Sequence, residues 1–463
     1  MTSTSIAPAA RIVGSRATLD RAVRLTAAAT LWSVLLLVTY WWEADGGIQD
    51  LGSWVGGLTS LGRLSALLSS VLLLAQVILM ARVPVLESAF GQDRLARIHL
   101  IVGFTSFNLL VAHLVLITWG YATGSLLRWP AELWNLTWTY PGLLLAVAGT
   151  VALVMVVVTS VKAARRRIRY ESWHLLHLYG YLGAGLALPH QLWTGQEFLQ
   201  RPGATLFWWS AWGVTVAAVL VFRVGLPLWR SLRHDLRVAA VVPEGPGVVS
   251  VHLSGRDLER LRAHSGRFFT WRFLGAPGRS RAHPYSLSAA PGPHGLRITV
   301  RAAGDGSCAL ATLATGSRVL VEGPYGRLSA RARSRSKVVL IGSGVGMAPL
   351  RSLAEGLIYG PGEVLVLHRF RERPLFAAEL AELTRTRGLG VVELPGGRRR
   401  EGSWVGEGYA AYDDVQVLLG WVPDIAERDV YVCGPPGWTD SLCRAARAAG
   451  VRDQNLHVES FGW

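Results

Sequence analysis

Six stretches of this 463-residue chain contain no Asp, Glu, Lys or Arg and reach or approach the roughly 20 apolar residues that a helix needs to cross a bilayer core. They are Leu25–Trp42, Leu64–Ala81, Ile98–Leu127, Leu133–Val161, Ser172–Gln196 and Pro202–Phe222. Hydrocarbon offers no partner to a bare peptide group, so such runs must close their backbone hydrogen bonds within themselves. The first half therefore reads as an all-α bundle of six transmembrane helices. The first run follows basic residues, as a secretion signal would. It ends in Trp41-Trp42-Glu43 with no small-residue cleavage site, and is read as a retained span. With 51% apolar and only 17% charged residues, the chain is neither disordered nor an ordinary soluble enzyme.

Orientation follows from the basic residues. With the N-terminus in the cytosol, sixteen Lys or Arg fall on inner segments and only Arg63, Arg128 and Arg201 on outer ones. Trp41, Trp42, Trp54, Trp129, Trp134, Trp138 and Trp193 lie near outer span ends, where an aromatic belt belongs. The expectation is a multi-pass cell-membrane protein in contact with lipid, with both its N-terminal tail (residues 1–22) and its C-terminal half in the cytosol. The net charge of +16 is thereby a topology signal, and no nucleic-acid partner is expected. Three cysteines without a CxxC make neither a disulfide scaffold nor a zinc site.

Ionisable residues inside spans point to function. The third span carries His99 and His113; the fifth carries His174, His177 and His190. Thirteen or fourteen residues correspond to about 20 Å of helix rise. Two helices offering one histidine each at two matching depths can clamp two stacked haems, His99 with His177 near the cytosol and His113 with His190 near the outer face. His99 and His113 share a helix face, whereas His190 lies well round from His177. Pro189, Gly183 and Gly185 suggest a kink that would re-aim it. A single such histidine is more simply an interhelical hydrogen bond; four at paired depths favour ligation. His174 is read as a packing residue at the inner boundary.

After Arg233 the period changes to short alternating strands, which suggests a small antiparallel β-barrel over residues 234–331. Its distinctive strings are His283-Pro284-Tyr285-Ser286, Arg301 followed by Gly304-Asp305-Gly306-Ser307, and Gly323-Pro324-Tyr325-Gly326. An aromatic and a hydroxyl on one strand suit an isoalloxazine ring, and a glycine turn beside a basic residue suits a pyrophosphate. Residues 335–463 then read as an α/β parallel-sheet nucleotide domain. A strand runs into Gly342-Ser343-Gly344-Val345-Gly346-Met347-Ala348-Pro349 and a helix, so that amides at a helix N-terminus face a diphosphate. Arg369, Arg371 and Arg373 follow the next strand, where a 2′-phosphate would lie. Cys433-Gly434-Pro435-Pro436 ends another strand, with Cys433 either a structural or a functional thiol.

Together these strings resemble the ferric reductase and NADPH oxidase superfamily, a six-helix two-haem domain (residues 23–228 here) joined to a ferredoxin–NADP reductase-like module. The resemblance runs from about Leu25 to Trp463. It implies His99/His113 and His177/His190 as haem ligands, His283–Ser286 as the flavin motif, and Gly342–Pro349 with Cys433–Pro436 as the nicotinamide nucleotide site. It also implies Phe461, or Trp463, as the aromatic covering the flavin. Plant-type reductases carry Arg where this chain has His283. The implied cofactors are FAD, two b-type haems and NADPH, with NADH as the alternative donor. The implied activity moves electrons from cytosolic NADPH to an outer acceptor. That acceptor is dioxygen in an oxidase, with Arg63 beside the outer haem, or a ferric chelate in a ferric reductase. The oxidases carry a second histidine where this chain has Ile117. An alternative of another class is a haem relay subunit feeding a partner protein. The sequence leaves the oligomeric state open.

Overall fold

The computed structural model describes residues 10–165, 167–168, 170–195, 201–275, 282–293, 295–326, 328–397, 400–409 and 411–460. It divides into two compact units, one of Asp20–Val224 and one built from Gly225 onward.

The membrane unit is helical. Its long helices are α1 (Ala10–Ala44), α2 (Trp54–Met80), α3 (Gln92–Tyr121), α4 (Leu143–Ser160), α5 (Tyr170–Thr194) and α6 (Pro202–Ala218). Among the described residues, five helical segments are long and apolar enough to cross a membrane: Thr18–Ala44, Trp54–Met80, Arg94–Tyr121, Leu143–Ser160 and Pro202–His234. Helix α5, expected as a sixth span, is long enough but less apolar, because it carries three histidines along with Tyr, Gln and Trp residues. The last span also exceeds its expected length, since α6 continues through a π-helical segment (Val219–Gly225) into α7 (Leu226–His234).

Small residues let these helices approach closely. A side chain on Gly149 of α4 would place its Cβ 2.7 Å from the Gly183 carbonyl oxygen of α5, and one on Gly183 would lie 2.9 Å from the Gly149 oxygen. Between α2 and α3 the contact is polar. Ser69 donates to the Ser106 carbonyl at 2.8 Å, and Ser106 donates back to that of Ser69 at 3.0 Å. In hydrocarbon such reciprocal bonds hold a pair of helices together where apolar burial supplies little driving force. Val38, Trp42, Leu67, Val71, Ala184, Trp208 and Trp212 form the buried centre of the unit.

The second unit opens with antiparallel strands β1 (Arg237–Gly245), β2 (Val248–Ser254), β3 (Phe268–Phe273), β4 (His283–Ser286), β5 (Leu296–Arg301) and β6 (Val319–Tyr325). They form two three-stranded sheets, β1-β2-β5 and β4-β3-β6, where a small antiparallel barrel was expected. Isolated bridges, Arg237 to Arg318 and Leu287 to Ile298, join the two sheets over one apolar core containing Phe269, Trp271 and Ile298. Bulges in β1 and near Phe268 interrupt the ladders that would otherwise run on.

The remainder is a parallel sheet in the order β11-β10-β7-β8-β9, made of β7 (Val338–Ser343), β8 (Val364–Arg369), β9 (Gly390–Leu394), β10 (Asp429–Gly434) and β11 (Leu456–Ser460). Buried on both faces, β7 and β10 read as nearly continuous apolar runs. Helices α8 (Met347–Gly356), α9 (Ala377–Arg387), α10 (Asp414–Trp421) and α11 (Pro436–Ala448) complete this lobe.

The Gly149–Gly183 crossing gives a direct test. Gly149→Val should overpack the α4–α5 contact by about 1–3 kcal/mol. This should appear as a lower melting temperature in detergent, and an unchanged one would show that the helices do not cross there.

Candidate functional site

In the membrane unit, the four paired-depth histidines share one arrangement. Each Nδ1 faces an oxygen: Gln76 O at 3.2 Å for His99, Gly62 O at 3.0 Å for His113, Ser160 Oγ at 3.3 Å for His177 and Ala187 O at 2.6 Å for His190. A ring whose Nδ1 is held by an acceptor has its tautomer and direction fixed, and offers Nε2 to a metal. The His99 and His177 rings lie 5.9 Å apart, centroid to centroid, at 65° to one another. His190 lies within electrostatic reach of His113. Helix α5 runs on through Pro189 to Thr194. Among the described residues no three His, Cys, Asp or Glu side chains gather, so each level offers two ligands. Such a donor set suits a metal whose remaining ligands come with it, as a porphyrin supplies.

Backbone packing positions these rings. Gly62 approaches α3 so closely that a Cβ there would lie 3.0 Å from the Ile117 nitrogen, and this puts its carbonyl against His113. Gly142, with φ +81°, sits against the His190 backbone, where a Cβ would come within 2.8 Å of the nitrogen. At the other level Trp173 lies over His177 at 5.0 Å, with the Arg165 guanidinium 4.5 Å from the Trp173 ring. Sequence spacing identified the four histidines but missed Gly62, Ser160 and Trp173. For Gly62 and Ser160 the signal is proximity to a histidine 51 and 17 residues away, whereas Trp173 lies one helical turn before His177 on the same helix.

Arg63 is ion-paired to Asp50. Together with Val55, Thr59, Ile117, Gly120 and Tyr121 they line a cavity of about 370 Å³.

In the reductase unit, strand β4 carries His283, Pro284, Tyr285 and Ser286, with His283 and Tyr285 stacked at 5.9 Å. The His283 Nε2 reaches the glycine turn, where a Cβ on Gly306 would meet it at 2.5 Å. The two strings expected at a flavin therefore come together. Ser307 shapes that turn, its hydroxyl accepting from the Ala303 and Gly304 amides and donating to the Gly304 carbonyl. Arg301 is exposed at the end of β5. The Ser286 hydroxyl is buried and makes no hydrogen bond among the described residues. A buried hydroxyl without a partner is costly, and a flavin edge would satisfy it. Burial pushes the Tyr285 phenol up to about 12, so it stays protonated.

Gly342, Gly344 and Gly346 form the turn into α8. A Cβ on Gly342 would meet Leu350 at 2.9 Å, and one on Gly346 would meet the Cys433 carbonyl at 2.3 Å. The glycine turn thus rests directly on the Cys433-Gly434-Pro435 string. Gly344 has φ +56°, and α8 starts with no side-chain cap and with Pro349 in its first turn. Open amides at such a start suit a diphosphate. Cys433 is fully buried, and burial, with Glu459 beside it, pushes its thiol well up. Glu459, opposite Cys433 in the β10–β11 register, was missed by sequence reasoning. Its signal was its place two residues before Phe461, which, like Trp463, lies outside the described residues.

Arg369 is not placed to read a phosphate. Its buried guanidinium donates to the carbonyls of Phe370, Leu394 and Gly397, at 2.6–2.8 Å, and braces the loop after β9. Arg371 is exposed and keeps that expectation alone with Arg373. The two lobes are tied by Arg297 of β5, which makes a bidentate pair with Glu379 of α9 at 2.8 Å, and by Arg351 of α8, which joins the same carboxylate. Burial works against the Glu379 carboxylate, but the two arginines outweigh it and hold its pKa below the ordinary value.

Comparison with known proteins agrees with this division. The family described as ferric reductase like transmembrane component matches residues 65–188. Over 250 residues, 51% of this chain, the sequence is 30% identical to the stachydrine N-demethylase reductase subunit Stc4 of Rhizobium meliloti, of which it covers 68%. It is 26% identical over 252 residues to a glycine betaine monooxygenase reductase subunit of Chromohalobacter salexigens, covering 50% of this chain and 66% of that one. The chain therefore spans about two thirds of the length of these relatives. Among solved structures, the flavohem-like FAD/NAD binding domain of nitric oxide dioxygenase from Vibrio cholerae aligns over 50% of this chain and 100% of its own, with 22% identity and a TM-score of 0.39.

Two substitutions separate the arginines. Arg371→Ala should raise the KM for NADPH by about tenfold, one lost charge-assisted phosphate contact, while leaving NADH unaffected. Arg369→Ala should lower thermal stability and alter both donors alike. Steady-state kinetics with each donor, alongside melting curves, would check both.

Proposed function

Because the chain belongs to the ferric reductase and NADPH oxidase-type fusions, in which a ferric reductase-like transmembrane domain is joined to a ferredoxin–NADP reductase-like FAD/NAD(P)-binding module, we propose that it carries electrons from cytosolic NADPH across the cell membrane to dioxygen. The observation that carries this reading is the set of four intramembrane histidines, each with Nδ1 held by an oxygen and two of them ring to ring at 5.9 Å. Bound FAD would supply the change from hydride to single-electron transfer, and two bis-imidazole haems b would supply the path through the bilayer.

The chain's own groups then divide the work. Amides of the Gly342–Pro349 turn take the dinucleotide diphosphate, and Arg371 takes the 2′-phosphate. Cys433 and Glu459 border the place where nicotinamide meets flavin, with the buried neutral thiol shaping that pocket. Tyr285 and Ser286 orient the flavin, Ser286 through the hydroxyl that otherwise lacks a partner. Arg301 and the Gly304–Ser307 turn hold its pyrophosphate. His99 with His177, and His113 with His190, would hold the two haem irons. With the N-terminus and reductase module in the cytosol, an electron moving outward runs down an inside-negative potential, a gain of roughly 2.3 kcal/mol per 100 mV, and it depolarises the membrane unless a cation follows.

The cavity beside Arg63 supports an acceptor site next to His113, since Gly62, whose carbonyl holds the His113 ring, directly precedes Arg63. The test is NADPH oxidation by FAD-supplemented protein, in air and then anaerobically with ferric citrate. Cytochrome c reduction that superoxide dismutase suppresses supports dioxygen as acceptor. Fast anaerobic iron reduction with little superoxide would make the protein a ferric-chelate reductase instead. His113→Leu and His190→Leu should each reduce the haem content from two to one per chain in a pyridine haemochrome assay. Retention of both haems would remove the outer-site assignment.

A further inference from the structure

We infer that Asp50 is a specificity-determining residue of the outer cavity, where it cancels the charge of Arg63 so that the cavity accepts small uncharged or cationic electron acceptors and rejects anionic chelates. This rests on the proposed outward electron transfer and deepens it.

The cavity of about 370 Å³ is lined by both charges, with Val55 and Ile117 as apolar walls and Thr59 and Tyr121 as polar ones. It lies one to two turns beyond His113 on α3, the residues concerned being Ile117, Gly120 and Tyr121. An arginine alone there would make the cavity an anion site. The structure instead brings Asp50 from the short helix Gln49–Gly52 onto the Arg63 guanidinium, thirteen residues away in sequence. The Asp50 side chain is 45% exposed and that of Arg63 only 24%, so an incoming solute meets the carboxylate first. The same interhelical connection supplies Asp45, which pairs with Arg201 at 2.5 Å.

The surroundings reinforce this. On the face that the basic-residue asymmetry assigns to the outside, Glu43, Asp45, Asp50 and Glu132 outnumber Arg63, Arg128 and Arg201. A negative outer face lowers the local concentration of anions such as ferric citrate and does nothing to dioxygen. One electron passes to dioxygen, giving superoxide and leaving the donor iron ferric, with no proton moved. The anionic product is then driven away from the same surface.

The experiment uses the full chain in nanodiscs, loaded with FAD and haem and driven by NADPH without oxygen. It compares two compact one-electron acceptors of opposite charge, ferricyanide (a trianion) and hexaammineruthenium(III) (a trication). Wild type should favour the trication, and the preference should shrink in 1 M salt, where the Debye length falls to about 3 Å. Asp50→Asn should shift the rate ratio toward ferricyanide by about tenfold, the size expected when one charge near a trianion is removed in a largely aqueous setting. Asp45→Asn, outside the cavity lining, should shift the ratio less.

A second readout needs no turnover. The redox-inert trianion hexacyanocobaltate(III), followed by titration calorimetry, should bind Asp50→Asn more tightly than wild type by a similar factor. A ratio and an affinity unchanged within twofold, in protein with full haem content, would overturn the inference. If Asp50→Asn does not fold, Asp50→Ser is read in the same assays. A wild type that reduces both acceptors equally at low salt overturns the inference without any variant. Wild type that binds no haem, or does not reduce either acceptor, would instead count against the functional proposal.

Discussion

An imidazole in hydrocarbon has two nitrogens to satisfy, and the membrane unit is organised around satisfying only one of them from the protein. Each of His99, His113, His177 and His190 has Nδ1 against an oxygen, and three of those oxygens belong to backbone carbonyls inside helices. Carbonyls already within a helix ladder can accept a second hydrogen bond, because each oxygen has two lone pairs. The contact requires the neighbouring backbone to come close, which explains Gly62 against α3 and Gly142 against the start of α5's last turns. Ligand direction, glycine placement and helix pairing are thus one constraint. It acts where the helices are most intimate, α2 with α3 and α4 with α5.

The reductase unit solves a different problem with the same residue type. Its nucleotide turn must bring backbone amides to a phosphate while resting on a neighbouring strand. Gly346 against the Cys433 carbonyl leaves no room for a Cβ. The thiol beside that contact is thereby buried, neutral and fixed in place. The Arg297–Glu379–Arg351 cluster adds an electrostatic tie between β5 of the antiparallel lobe and the helices of the nucleotide lobe. Being partly buried, it is screened less than the surface pairs elsewhere in the chain.

Much of this was legible in the residues. Long uncharged runs located the helices, and alternation followed by glycine-rich strand ends located the two nucleotide-binding lobes. The His283–Ser286 string was legible as a strand, and the fold brings it against the Gly304–Ser307 turn that the sequence also singled out. Three things were not. Helix α5 falls short of a simple hydropathy criterion because the histidines that give it a role also make it polar. The bridging of two sheets where one barrel was expected depends on bulges that no alternation pattern encodes. Arg369 looked like its neighbour Arg371, but Arg369 is the last residue of β8 and is buried, whereas Arg371 lies beyond the strand end and is exposed. Glu459 and Asp50 were invisible for another reason. Their meaning lies in a partner that the fold supplies, Cys433 in one case and Arg63 in the other.

The two outer ion pairs also bear on how the chain reaches its place. In the orientation proposed above, Arg63 and Arg201 lie on the side that a basic residue ordinarily resists crossing to during insertion. Their carboxylate partners, Asp50 and Asp45, both come from the connection between α1 and α2. In that orientation the connection and Arg63 would leave the cytosol together as one hairpin, the first arginine moving alongside its counter-charge. The second arrives four helices later, to find Asp45 already in position. Assembly order is thereby written into the loop: the acidic hairpin goes first and serves as the receiving electrode for the arginine that follows.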